Sequence, residues 1–124
     1  MGRTCILHIG LPKTATTSFQ NAVFEHRGSL LSDYRLFYPS ISANLTNSLC
    51  VMFLDDPRAH ITVKKLGVTT PHDAEKLRRE YWTELERDIE SADWDTLALS
   101  AEGLCNLPAH SLTRLREWMS RYVD

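Results

Sequence analysis

The sequence predicts an α/β fold built on a parallel sheet, and three observations carry that prediction. The run Cys5-Ile6-Leu7-His8-Ile9 is mainly apolar at both alternating sets of positions, as in a strand covered on both faces. It stops at Gly10 and, after a short loop, gives way to a helical pattern from residue 16. A second short run, Thr96-Leu97-Ala98-Leu99-Ser100, lies between two amphipathic stretches. The order is β-α-(loops, α)-β-α, which is half of an α/β sheet rather than a whole one. A core of two parallel strands is marginal by itself.

With 124 residues the chain has room for one domain. Its hydrophobic share of 43% and charged share of 24% are those of a globular protein and exclude a disordered one. A net charge of −2 argues against a general nucleic-acid binder, although local basic residues can still serve one anionic ligand. Cys5, Cys50 and Cys105 form no CxxC pair and are odd in number, so reduced thiols in a cytoplasmic protein are expected. No apolar run approaches membrane-spanning length.

Taken in order, residues 16–27 read as a helix with Phe19, Ala22, Val23 and His26 inward and Gly28 as its C-cap. Residues 30–38 are a mixed segment ending in a turn or short edge strand at Tyr38-Pro39, and 40–47 read as loop. The apolar run 49–54 fits a buried helix or a strand, since periodicity alone does not separate them. Residues 58–69 have no firm period, and Lys64-Lys65 reads as a solvated pair. Thr70-Pro71-His72-Asp73 is the clearest helix start, with Thr70 as cap and Pro71 at the first helical position. That helix runs to about residue 91 on the stripe Ala74, Leu77, Tyr81, Leu85 and Ile89. A last helix is expected over 108–122 with Leu112, Leu115, Trp118, Met119 and Tyr122 inward.

The loop between the first strand and helix has the layout of a phosphate cradle. Unpaired N–H groups at a helix N-terminus face a ligand, and the helix dipole favours its negative charge. Against a Walker A motif the fit is poor: counting from Gly10, Ala15 stands at the second glycine, Thr16 at the lysine and Thr17 at the Ser/Thr position. A nucleoside triphosphatase or P-loop kinase needs that lysine on the β/γ-phosphates. Here the only lysine of the loop, Lys13, comes three residues earlier. The plainest alternative is that the loop is a strand-to-helix turn and nothing more.

The pattern His8-Ile9-Gly10-x-Pro12-Lys13-Thr14-x-Thr16-Thr17-Ser18 resembles the 5′-phosphosulfate-binding loop of the PAPS-dependent sulfotransferase family, especially its bacterial branch. Leu36-Phe37-Tyr38-Pro39 is similar to the family's turn after the first helix, and Leu99-Ser100-Ala101-Glu102-Gly103-Leu104 to its next core strand. The resemblance implies a P-loop-like three-layer α/β/α fold, with 3′-phosphoadenosine 5′-phosphosulfate (PAPS) as the donor substrate. It implies donor binding by Pro12, Lys13, Thr14, Ala15, Thr16, Thr17 and Ser18, with Lys13 also stabilising the leaving phosphate. Ala15 departs from the family's usual glycine and restricts the loop mildly, because alanine does not reach φ > 0 cheaply. No metal is expected: a sulfuryl group carries less charge than a phosphoryl group, and the sequence holds no His/Cys/carboxylate cluster at ligand spacing.

The resemblance also implies a His or Glu that accepts the acceptor's proton. Glu102 is the first choice, since ligands bind at the carboxyl ends of strands in open α/β sheets; its bland reading is a loop-bracing carboxylate. Asp33 ranks below it, His8 reads as a satisfied core histidine, and His26, His60, His72 and His110 as surface residues. Family members continue into a further strand carrying an Arg and a Ser for the donor's 3′-phosphate, which residues 1–124 do not contain. The expectation is therefore one partial, truncated domain whose turnover by itself is open. Its acceptor would be a carbohydrate, lipid or small molecule bearing a hydroxyl or amine. The alternative from another class is a non-catalytic phosphate-binding or interaction module that self-associates through an exposed sheet edge.

Overall fold

The computed structural model describes residues 2–9, 16–59 and 61–123. The chain is mixed α/β. It runs β1 (Thr4–His8), α1 (Thr16–Glu25), α2 (Arg27–Tyr34), β2 (Leu36–Phe37), α3 (Thr46–Phe53), α4 (Ile61–Lys64), α5 (Pro71–Glu90), β3 (Thr96–Ser100) and α6 (Ala109–Ser120). Short 3-10 turns lie at Pro57–Ala59 and Glu102–Asn106. The strands form one parallel sheet in the order β1-β3-β2, with Thr4 opposite Thr96 and Leu36 opposite that same residue on the other side. Besides the two core strands expected, the sheet includes β2 before Pro39, where the sequence left a turn or a short edge strand open.

The middle strand, β3, organises the core. Leu97 and Leu99, on one alternation, are buried among Phe53 of α3, Leu85 and Ile89 of α5, and Leu115 and Trp118 of α6. Ser100, on the other alternation, bonds to Gln20 of α1. Helix α3 resolves the ambiguity of its apolar run: Leu49 to Phe53 are all buried, as in a helix enclosed on every side. Its last carbonyls are satisfied by guanidinium groups from the two neighbouring helices, Arg78 donating to Val51 and Leu54 and Arg114 to Phe53. Helix α5 begins as its sequence predicts, with the Thr70 hydroxyl accepting from the Asp73 N–H at 3.1 Å and Pro71 at the first turn.

Four expectations need correction. The first strand is not covered on both faces: Ile6 is 50% exposed, because β1 is an edge of the sheet and the face carrying Ile6 has little packed over it. Gly28 does not end a helix; α1 ends at Glu25, and Gly28 lies inside α2. The left-handed stop falls instead on Arg35 (φ 53°). Its N–H bonds back to Leu31, and its side chain pairs with Asp93 at 3.1 Å and Asp95 at 2.9 Å. Its carbonyl accepts from Asp95 and Thr96, so the unfavourable backbone is held by the start of β3. Finally, the buried side of α1 is Gln20, with Val23 and Phe24 half-buried, whereas Phe19 is 48% exposed and Ala22 and His26 face solvent. On α6, Leu115 and Trp118 are buried but Leu112 is not.

Cys5, Cys50 and Cys105 are all free thiols. Among the described residues no helix is long and apolar enough to cross a membrane.

Candidate functional site

The candidate site lies where β1 and β3 end and α1 begins. Gly10, Leu11, Pro12, Lys13, Thr14 and Ala15 fall outside the described residues, as does His60. What is described is the frame on either side: β1 ends at His8, and α1 starts at Thr16, with Thr17 and Ser18 exposed in its first turn. The first-turn N–H groups of a helix have no partner within it and are free to meet a ligand.

Where these two elements meet β3 is a buried polar cluster that the sequence reading did not anticipate. Ser100, the last residue of β3, receives a hydrogen bond from Gln20 Nε2 at 2.9 Å and meets His8 Nδ1 at 2.8 Å. Gln20 and Ser100 are each 1% exposed, while His8 is half-buried with its ring 4.6 Å from that of Phe19. Register explains the meeting: His8 is paired with Ser100 across the sheet, and helix α1 brings Gln20 over the same strand ends. Tyr38 closes the far side. Its phenol donates to the Ala43 carbonyl at 2.5 Å, and burial pushes its pKa up to about 12 against the opposing effect of hydrogen bonds from Ser100. The sequence signal for the cluster was present: a histidine and a serine each near the end of an otherwise apolar strand, and a glutamine on the inward side of the following helix.

Glu102 lies one residue beyond β3, at the start of the 3-10 turn, and is half-buried. Its carboxylate accepts from Asn44 Nδ2 at 3.4 Å. Asn44 Oδ1 in turn accepts from the Thr46 N–H at 3.0 Å and the Thr46 hydroxyl at 2.7 Å, and that hydroxyl oxygen accepts from the Gly103 N–H at 3.1 Å. Glu102 therefore belongs to a network that ties the turn after β3 to the start of α3. Asp33 is elsewhere, exposed on α2 and accepting from Ser32. His26, His72 and His110 are exposed, and His110 bonds to Asp55 at 2.7 Å. The strand ends thus bring together His8, Ser100, Gln20 and the start of α1, with Glu102 close along the chain. Asp33 belongs to neither the cluster nor the network.

Among the described residues no group of His, Cys, Asp and Glu is arranged to hold a metal ion. No family model matches the chain, and neither the curated proteins nor the solved structures contain a significant match to it.

Proposed function

We propose that this chain is the donor-binding part of a PAPS-dependent sulfotransferase, in a P-loop-like α/β/α fold, acting on a hydroxyl or amine acceptor. The observation that supports this reading is the pattern of residues 8–18 placed between a parallel strand and a helix, with β1 ending at His8 and α1 starting at Thr16. In that role the N–H groups of Thr14 to Ser18 hold the donor's 5′-phosphate, with the hydroxyls of Thr16, Thr17 and Ser18 as further donors. The acceptor oxygen or nitrogen forms a bond to sulfur as the bond from sulfur to the 5′-phosphate oxygen breaks. Lys13 offsets the charge gathering on that leaving phosphate. Glu102 takes the acceptor's proton, which its position past the end of β3 favours and its tie to Asn44 opposes. The three unpaired thiols accord with a cytoplasmic setting.

The test is a sulfuryl-transfer assay with PAPS over a panel of carbohydrate, lipid and small-molecule acceptors, run beside calorimetric binding of adenosine 3′,5′-bisphosphate. Lys13→Ala should lower transfer about a hundredfold while leaving the circular dichroism spectrum unchanged. An unaltered rate removes Lys13 from the mechanism, and failure to bind the bisphosphate removes the donor assignment.

A second reading, a self-associating module without catalysis, is favoured by one observation. The N–H of Thr4 and the carbonyl of His8 bond towards β3, so by alternation the main-chain groups of Cys5 and Leu7 face the open edge, beside exposed Ile6 and Ile9. Sedimentation velocity separates the two: a monomer across the accessible concentration range disfavours the module.

A further inference from the structure

We infer that His8 is a ligand-binding residue, presenting an Nε2–H donor to an anionic oxygen at the carboxyl ends of β1 and β3. The inference starts from the hydrogens on Ser100. A serine hydroxyl has one hydrogen to give and two lone pairs to receive. Gln20 Nε2 occupies one lone pair at 2.9 Å. The remaining hydrogen needs an acceptor, and His8 Nδ1 lies 2.8 Å from the same oxygen. Tyr38, the other polar side chain beside Ser100, has its phenol engaged with the Ala43 carbonyl, and the geometry pairs the Ser100 hydroxyl with His8 Nδ1. Nδ1 therefore accepts from Ser100, which places a hydrogen of the ring on Nε2.

The direction follows from the ring's shape. The two nitrogens of an imidazole diverge, so an Nδ1 turned to Ser100 sends Nε2 away from the hydroxyl. Among the described residues Nε2 has no partner, whereas Nδ1, the Ser100 hydroxyl and Gln20 Nε2 are bonded to one another inside the protein. The ring is half-buried and in contact with Phe19, which limits its rotation. A buried serine and a buried glutamine thus hold a histidine whose one free group is a donor at the end of two parallel strands. That is where open α/β sheets receive their ligands. A donor with no hydrogen to accept suits an oxyanion, a phosphate or sulfate group. That the oxyanion belongs to a nucleotide rests on the proposed function; the anion chemistry does not.

Long-range 1H–15N correlation spectra of the full chain test this without any substitution. The His8 ring should show the Nε2–H tautomer, and its Nε2 signal should shift on titration with inorganic sulfate, inorganic phosphate or adenosine 3′,5′-bisphosphate. His8→Phe should weaken binding of whichever anion shifts the ring by about tenfold, and His8→Gln, which keeps an N–H near the same place, should restore most of it. An Nδ1–H tautomer overturns the inference, as does an unmoved His8 signal at saturation with all three anions. Shifts with sulfate or phosphate but not with the bisphosphate uphold His8 and count against the sulfotransferase reading. Bisphosphate binding with a ring that none of the three anions moves does the reverse.

Discussion

Gly103 sits where the chain has least room. A β-carbon placed there would lie 2.4 Å from Thr46 Cγ2, far inside van der Waals contact. Thr46 cannot turn aside freely, because its hydroxyl both donates to Asn44 and accepts from the Gly103 N–H, and the residue is buried. Gly103→Ala should therefore cost about 1–3 kcal/mol in thermal or urea denaturation. Adding Thr46→Ser removes the offending methyl and keeps the hydroxyl, so the double variant should recover much of the loss. A cost that persists in the double variant would place the strain elsewhere. Gly28 makes the opposite case, with nothing within 4 Å of its missing side chain. The sequence could not separate the two glycines, since one is constrained by a residue 57 positions away. The same blindness applies to Glu102: its place after a strand was legible, but its partner Asn44 comes from a distant loop.

At the scale of elements, α5 and α6 are joined through a single carboxylate. Glu86 Oε1 accepts from the Trp82 indole at 2.8 Å, from the Trp118 indole at 3.0 Å, and from Arg121. Glu86→Ala would leave two part-buried indole N–H groups without their acceptor, at a cost of about 2 kcal/mol. Tryptophan emission should shift to the red as α6 loosens, and an unshifted spectrum would show that packing alone holds the helices. A second tie runs from the end of α3 to α6. There Asp55 is held below the ordinary carboxylate range by its hydrogen bond from His110 and by Arg114, against some opposing desolvation. A lowered folded-state value means stabilisation present above the unfolded value and lost as pH falls through the folded one. The denaturation midpoints of the wild type and Asp55→Asn should hence differ at neutral pH and converge in acid; a constant difference would assign the effect to packing. Elements with local signals were readable: α5 from Thr70 and Pro71, β3 from Leu97-Ala98-Leu99 between Thr96 and Ser100. The end of α2 was not, because the stop at Arg35 depends on Asp93 and Asp95 some sixty residues on.

For the whole molecule, the open side of β1 is the feature that the sequence misstated most. The apolar run 5–9 did mark a strand, observed over Thr4–His8, but apolar composition on both sets of positions did not tell that one face would be left exposed at Ile6. If that edge joins two copies, Ile6→Lys should shift sedimentation towards the monomer, since a charge on a strand edge opposes pairing. Association unchanged by the substitution would clear this edge of the role. The motif over residues 8–18 stands out in the sequence because it is local, whereas the His8, Gln20 and Ser100 cluster required the sheet to be assembled first.

The position of β3 also governs when that assembly can occur. Both of its neighbours precede it in the chain, β1 by 92 residues and β2 by 60, counted at the paired positions. On the ribosome, neither earlier strand finds its partner until residue 100 has emerged, so β1 and the loop after it wait through the synthesis of five helices. Pairings this distant in sequence slow folding and prolong exposure of unpaired strands. The nascent chain is therefore most in need of a chaperone just before β3 is released.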